Sequence, residues 1–255
     1  MMLLFHATER MDSLAVIDFH SHILPGIDDG ARNIDSALAM LEQIQTQQID
    51  IMAATPHFYA AKDRIDTFLK KRETARDVFF HAVREHEMNA VPQILLGSEV
   101  AFFDGISRAK EIEALTLEGT QLLLLEMPFV PWTDQNLTEV ERLIRERGLH
   151  LMIAHLERFL WIPGNKKQVQ RLMELPVTIQ LNAECLLDWR HRHTLLKLLK
   201  EGRAHVLGSD CHGAHHRVPN LAEGRAVIEK KLGRTVLEQL DQRGTALLEE
   251  VRTDE

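Results

Sequence analysis

The sequence predicts an α/β fold, a barrel or near-barrel in which seven parallel strands alternate with helices. Seven short apolar runs are separated by longer segments with helical periodicity. The runs are almost continuously apolar, as expected for strands that helices cover on both faces of a parallel sheet. An open doubly wound sheet would alternate in the same way. However, no G-x-G-x-x-G motif follows the first run, which disfavours a dinucleotide-binding fold.

The predicted elements follow one another along the chain without an obvious linker. The strands are expected at 15–19, 49–55, 93–100, 121–127, 150–155, 177–182 and 203–210. Helices are expected at 34–48, 64–88, 135–147 and 188–200, with a short helix before the sixth strand and helical structure from about Leu221 onwards. In the first helix, Ala37, Leu38, Leu41 and Ile44 have helical spacing. Gly148 and Gly202 mark the ends of two later helices.

Length and composition favour one domain over residues 1–255, with residues 1–13 as a loose extension and Met11 as a possible start. The net charge of −8 argues against a nucleic-acid partner. Two cysteines do not suggest a disulfide framework, and no run has the length of a membrane span or the form of a signal peptide. We therefore expect a cytoplasmic protein with no membrane insertion. The oligomeric state is left open.

Ionisable side chains occur at six of the seven predicted strand ends. Barrels of this type carry their chemistry at the C-terminal ends of the strands. The side chains there are His20 and His22, His57, Glu99, Glu126, His155, and finally Asp210 and His212. The sixth strand offers only Asn182 and Glu184, which are weaker candidates.

Each of these residues alone could be an ordinary core or surface residue, but their joint position predicts a metal site. His20 and His22 are two residues apart, so an extended backbone points both side chains the same way. Imidazoles and carboxylates without a thiolate pair suit zinc, manganese or iron. About nine candidates exceed the four ligands of one tetrahedral ion, which implies two or three ions with Glu99 as a bridge. Such clusters suit in-line displacement at phosphorus.

Three further residues lie close to these motifs. Arg158 and Arg217 follow His155 and His212 in the sequence, and an arginine fork matches phosphate oxygens. A surface salt bridge is the alternative role for each arginine. Asp29, in the turn-rich segment PGIDDG, could be another ligand or only a turn residue.

These motifs together resemble the polymerase and histidinol phosphatase (PHP) superfamily. They are most similar to its bacterial tyrosine-protein phosphatase branch, the capsule-associated type found beside tyrosine kinases of polysaccharide synthesis. The resemblance rests on DFHSHILPGIDDGA (18–31), ATPHF (54–58), GSEV (97–100), LLEMP (124–128), AHLER (154–158) and GSDCH (208–212). One departure is Leu156, where the family often has proline.

The resemblance implies a distorted (β/α)7 barrel with a trinuclear centre, usually loaded with manganese, although zinc or iron is possible. It implies three ligand sets: His20, His22, Glu99 and Asp210; Asp29, His57 and His212; and Glu99, Glu126 and His155. Arg158 and Arg217 would hold the phosphate. It also favours Asp29 over Asp28 as the ligand in the PGIDDG segment.

The predicted activity is that of a metal-dependent protein-tyrosine phosphatase, in which a metal-activated hydroxide hydrolyses phosphotyrosine. The resemblance implies a bacterial tyrosine kinase of polysaccharide synthesis as the substrate. Three alternatives remain: hydrolysis of histidinol phosphate or another small phosphomonoester, a non-enzymatic module that binds a kinase tail, and a cysteine phosphatase. The last is suggested by the C-x5-R spacing of Cys211 and Arg217.

Overall fold

Parallel strands and flanking helices make up the computed structural model, which describes residues 14–252. The predicted extension at 1–13 lies outside the described residues. The strands are β1 Ile17–Ser21, β2 Ile51–Ala54, β3 His57–Phe58, β4 Gln93–Leu96, β5 Glu99–Ala101, β6 Leu122–Glu126, β7 His150–Ile153, β8 Val177–Asn182 and β9 Val206–Gly208. The helices are α1 Ile34–Gln45, α2 Ile65–Glu85, α3 Asp134–Arg147, α4 Glu157–Leu160, α5 Lys166–Leu172, α6 Trp189–Lys200, α7 Leu221–Leu232 and α8 Arg234–Glu250.

The strands form two parallel sheets, which together make up the wall of the barrel. One sheet has the order β1-β2-β4 and the other β3-β5-β6-β7-β8-β9. The chain passes from β2 to β3 and from β4 to β5 with only two residues between strands, so the nine strands follow seven continuous runs. A parallel bridge between Ser21 and Cys211 brings the end of β1 beside the chain after β9. The predicted distorted barrel of seven parallel runs is confirmed.

The division into two sheets explains where the sequence prediction was incomplete. The predicted strands at 49–55 and 93–100 are each interrupted. The first interruption contains Pro56, which has no N–H to donate to a neighbouring strand. The predicted helical segment after Leu221 is also interrupted, because Gly233 adopts φ +91° between α7 and α8.

Side chains of β6 illustrate how the strands separate an inner and an outer apolar layer. Leu122 and Leu124 belong to a small inner cluster that also contains residues of α8. Leu123 and Leu125 belong to the larger cluster that includes the surrounding helices. Because successive side chains alternate across a strand, Glu126 follows Leu124 on the inner face at the C-terminal end.

The opposite end of the barrel is covered by the C-terminal helix. Leu247 and Leu248 of α8 pack in the inner cluster, and the backbone N–H of Gln121, just before β6, donates to the carbonyl of Val251. Helix α8 therefore closes the N-terminal end of the barrel. Within residues 14–252, no helix has both the length and the apolar character needed to cross a bilayer.

Candidate metal centre

All nine predicted ligand side chains converge at the C-terminal end of the barrel. Eight of them fall into three overlapping groups, in each of which the potential ligand atoms lie within 4.8 Å of one another. The groups are His22, Asp29, His57 and His212; His20, His22, Glu99 and Asp210; and His57, Glu99 and Glu126. The ninth residue, His155, has its Nε2 atom 2.8 Å from Glu99 Oε1 and 3.4 Å from Glu126 Oε1.

Glu99 lies at the middle of this arrangement. Its side chain is fully buried. Its Oε2 atom is 3.1 Å from His20 Nε2 and 3.2 Å from His22 Nε2. The same oxygen is 2.9 Å from His57 Nδ1. Four imidazoles, counting His155, therefore surround one carboxylate that begins β5.

Asp210 connects the imidazoles to the two predicted phosphate-binding arginines. Its Oδ1 atom is 3.5 Å from His20 Nε2 and 3.4 Å from His22 Nε2. Its Oδ2 atom accepts a hydrogen bond from Arg158 at 2.6 Å and forms an ion pair with Arg217, also at 2.6 Å. Both guanidinium groups are about one-third exposed, so they can also face a bound anion.

Three residues of this centre hold left-handed backbone conformations without being glycine. The φ angles are 32° at His155, 52° at Asp210 and 49° at Arg217. Such conformations cost free energy and occur disproportionately at functional sites, where the surrounding structure imposes them. The chain thus bends sharply at the strand ends to aim these side chains.

The two aspartates of the PGIDDG segment have different positions. Asp28 Oδ2 is 2.6 Å from His22 Nδ1 and also accepts the backbone N–H of His57 at 2.9 Å. Burial opposes ionisation of Asp28, but the interactions with His22 outweigh burial and lower the pKa of Asp28 to about 2. Asp29 is 68% exposed, and its Oδ1 atom lies 3.6 Å from His57 Nε2 and from His212 Nε2. Asp28 therefore orients His22, while Asp29 faces the imidazoles.

The glycine of that segment is required by close packing. A Cβ atom at Gly30 would clash with the carbonyl of His22. The N–H of Ala31 donates to this carbonyl at 3.0 Å, which folds the segment back over the histidine. Gly30 therefore allows the loop that carries Asp28 and Asp29 to fold closely over His22.

Sequence reasoning missed Asp28 and Gln180 as supporting residues. Gln180 is fully buried, accepts the backbone N–H of His155 at 2.6 Å and donates to Asn182 Oδ1 at 2.9 Å. Asn182 in turn donates to Asp210 Oδ2 at 2.7 Å, so it supports the site without belonging to a ligand group. The glutamine and asparagine in VTIQLN, two residues apart and therefore on the same face of the strand, were the available signal. Glu184 is exposed and outside the three groups.

The chemistry of these side chains fits divalent cations. Five buried polar atoms of the centre make no hydrogen bond: Glu99 Oε2, Asp210 Oδ1, His57 Nδ1, His155 Nδ1 and His212 Nε2. Buried polar atoms are costly without a partner. Their combination of imidazole nitrogens and carboxylate oxygens is the ligand type that zinc, manganese and iron accept.

The position of Cys211 argues against a cysteine phosphatase. The side chain is fully buried and packs in the large apolar cluster. Burial, assisted by the charge of Asp18, raises the pKa of the Cys211 thiol to about 12. A nucleophilic cysteine needs an accessible thiolate, which this environment disfavours. The partner of Arg217 is instead Asp210.

The chain matches one protein family and several named relatives over most of its length. A family model described as capsular polysaccharide synthesis, CpsB/CapC, matches residues 16–248. Tyrosine-protein phosphatase CpsB of Streptococcus agalactiae is 27% identical over 240 residues, covering 88% of this chain and 94% of that protein. Tyrosine-protein phosphatase YwqE of Bacillus subtilis is 27% identical over 250 residues, covering 91% of each protein.

A solved structure has the same fold. It comes from a study of YwqE from Bacillus subtilis and CpsB from Streptococcus pneumoniae, described there as metal-dependent tyrosine phosphatases. The TM-score is 0.79 at 24% identity, and the match covers 94% of this chain and 96% of that one.

Proposed function

Because the chain belongs to the CpsB/CapC family of capsular polysaccharide synthesis proteins, we propose that it is a metal-dependent protein-tyrosine phosphatase. The relatives that support this activity are tyrosine-protein phosphatases that match most of the chain. The observation that carries the proposal is the arrangement around Glu99 and Asp210. There, clustered imidazoles and carboxylates lie directly beside two arginines.

We propose that three divalent ions bind in this centre. Manganese is the first candidate, and zinc or iron would accept the same side chains. The proposed ligand sets are His20, His22, Glu99 and Asp210; Asp29, His57 and His212; and Glu99, Glu126 and His155. The first set is one of the observed groups, the second is contained in another, and the contacts of His155 with Glu99 and Glu126 support the third.

The chain's own residues define how a phosphomonoester would be held. Arg158 and Arg217 present guanidinium groups that can bind the phosphate oxygens, while Asp210 fixes both from behind. Asp28 orients His22, and Gln180 fixes the backbone of His155. Bound divalent ions would supply Lewis acidity that lowers the pKa of water and offsets negative charge on phosphorus. A phenolate leaving group, with a pKa of about 10, needs little protonation, so no dedicated general acid is required.

The proposed substrate is a phosphotyrosine-bearing protein, specifically a bacterial tyrosine kinase of polysaccharide synthesis. The family's role in capsular polysaccharide synthesis supports this choice. We also propose a cytoplasmic location, where both free cysteines, Cys185 and Cys211, would stay reduced. Histidinol phosphate and a purely binding function are the alternatives that the test below separates.

The test compares metal-free and metal-loaded protein. After removal of metal with EDTA, we expect no hydrolysis of a phosphotyrosyl peptide or p-nitrophenyl phosphate, and recovery with manganese. Histidinol phosphate should be a much poorer substrate than the peptide. Full turnover by rigorously metal-free protein would refute the metal-dependent mechanism, and absence of turnover with manganese, zinc and iron alike would leave only a binding function.

A matched pair of variants locates the activity. Glu99→Gln removes the charge of the central carboxylate and should abolish turnover and lower the bound metal content. Glu184→Gln makes the same chemical change at an exposed position outside the ligand groups and should preserve both. Equal behaviour of the two variants contradicts the proposed centre.

A further inference from the structure

An aromatic side chain is exposed beside the metal centre. Phe129 is 54% exposed and lies three residues after Glu126, in the loop that follows β6. Its ring centroid is 6.2 Å from that of His155, with the two ring planes inclined by only 24°. Phe129 therefore presents an apolar surface next to an imidazole that contacts Glu99.

The loop holds this ring in a defined position. Phe129 packs on Phe159, which is fully buried, with ring centroids 5.0 Å apart. Trp132, four residues after Pro128, donates its indole N–H to the carbonyl of that proline at 2.9 Å and packs on the same Phe159. A ring fixed before a ligand arrives loses little conformational entropy on binding.

The aromatic ring and the phosphate-binding groups are joined through α4. Arg158, on this short helix, donates to Asp210, and the next residue, Phe159, supports Phe129. His155, which begins the turn into α4, contacts both the central Glu99 and the Phe129 ring. A phosphate bound by Arg158 would thus place its ester substituent near Phe129.

We propose that Phe129 forms one wall of an aryl subsite that contacts the phenyl ring of the substrate and selects aryl over alkyl phosphomonoesters. This inference rests on the proposed function, and it assigns the preference for aryl phosphates to Phe129. Contact would cover the exposed face of Phe129 and add an aromatic pair. An aromatic pair of this kind changes affinity by about tenfold.

The test measures recognition of the ring separately from chemistry. Phenylphosphonate and methylphosphonate carry the same anionic group but differ in the ring, and neither has a hydrolysable ester. Their inhibition constants are measured against hydrolysis of p-nitrophenyl phosphate by manganese-loaded protein. Wild-type protein should prefer phenylphosphonate, and Phe129→Ala should reduce that preference about tenfold. Phe129→Tyr, which keeps the ring, should retain it.

Val130→Ala is the matched control, since Val130 is the next residue and is similarly exposed at 57%. It should leave the preference unchanged. Equal weakening of both phosphonates in Phe129→Ala, or an unchanged preference, overturns the aryl subsite, as does a wild-type protein that binds the two equally.

Failure of the proposed function has a different signature. If no metal supports turnover, the two phosphonates are compared by calorimetric titration of the metal-loaded protein. A preference for the phenyl compound that Phe129→Ala removes then supports the subsite, although the phosphatase activity is refuted. Absence of that preference overturns both.

Discussion

Arg158 and Arg217 form ion pairs with the same atom, Oδ2 of Asp210, each at 2.6 Å. Arg158 lies on α4, after β7, whereas Arg217 lies in the segment between β9 and α7. Because the carboxylate holds one side of each guanidinium group, their remaining N–H groups are aimed in advance rather than free to rotate. Phosphate recognition in the proposed phosphatase therefore depends on an acid that is itself a predicted metal ligand.

Replacing either arginine by lysine should impair catalysis strongly. Lysine keeps the charge but cannot bind Asp210 and a phosphate with one planar fork. We expect kcat/KM for p-nitrophenyl phosphate to fall by roughly 100-fold in Arg158→Lys and in Arg217→Lys. Loss of one hydrogen-bond donor to the charge of a transition state typically reduces the rate by this much. The double variant should lose less than the product of the single effects, because the two side chains share Asp210. Steady-state kinetics measures this, with the exposed Arg190→Lys as the control.

Tyr59 should report metal binding without any turnover measurement. It is the only tyrosine in the chain, and its ring centroid lies 5.1 Å from that of His57. In protein with isotope-labelled tyrosine, paramagnetic Mn²⁺ should broaden the ring resonance, whereas diamagnetic Zn²⁺ should shift it without broadening. EDTA should restore the original signal. A tyrosine resonance that saturating Mn²⁺ leaves sharp would place the manganese elsewhere.

Cys211→Ser should leave turnover nearly normal while reducing stability. The buried thiol lies in the apolar cluster, so a hydroxyl there costs about 1–3 kcal/mol of unfolding free energy. The metal-dependent mechanism predicts kcat within about twofold of wild type, because no thiolate attacks phosphorus. Urea unfolding and steady-state kinetics separate the two effects. Loss of all activity in a folded, metal-loaded Cys211→Ser protein would revive the cysteine mechanism.

His205 should make the fold less stable in mild acid. It precedes β9, and its Nδ1 atom accepts the backbone N–H of Ile179 at 2.8 Å. Burial lowers the pKa of His205, and the charge of Arg243 acts in the same direction. Below about pH 6.5 the unfolded chain binds a proton at His205 that the folded protein resists, so the unfolding free energy falls as pH decreases.

The comparison for this prediction is His205→Gln, which removes the titrating group. The advantage of wild type over the variant should be larger at pH 7.5 than at pH 5.5, as measured by urea unfolding at both values. A stability difference that is the same at both pH values would contradict the assigned role of the imidazole.

The overall architecture could be predicted because it depends on patterns that are local in the sequence. Apolar runs predict the seven strand runs, and the rule that barrel chemistry lies at strand ends predicts that His20, Glu99 and Asp210 lie together. The resemblance to the tyrosine-protein phosphatase branch is confirmed by the family match over residues 16–248.

The details that escaped prediction depend on three-dimensional packing. The interruptions at Pro56 and after Leu96 arise because one sheet ends and another begins there. The resemblance favoured Asp29 over Asp28 as a ligand, but the contact of Asp28 with His22 depends on how the loop folds over that histidine. The role of Gln180 required knowing that β8 lies beside β7. The assignment of ligands to individual ions stays a prediction.

Membership of the ligand groups overlaps in a ring: His22, His57 and Glu99 each belong to two of the three groups. A cation entering one group would fix a side chain that the next group also needs, so occupancy should rise cooperatively in a metal titration. A graded titration with independent sites would argue against this coupling. The same overlap constrains evolutionary drift, because exchanging one shared ligand disturbs two neighbouring ion-binding groups at once. A change of metal preference would therefore require concerted substitutions.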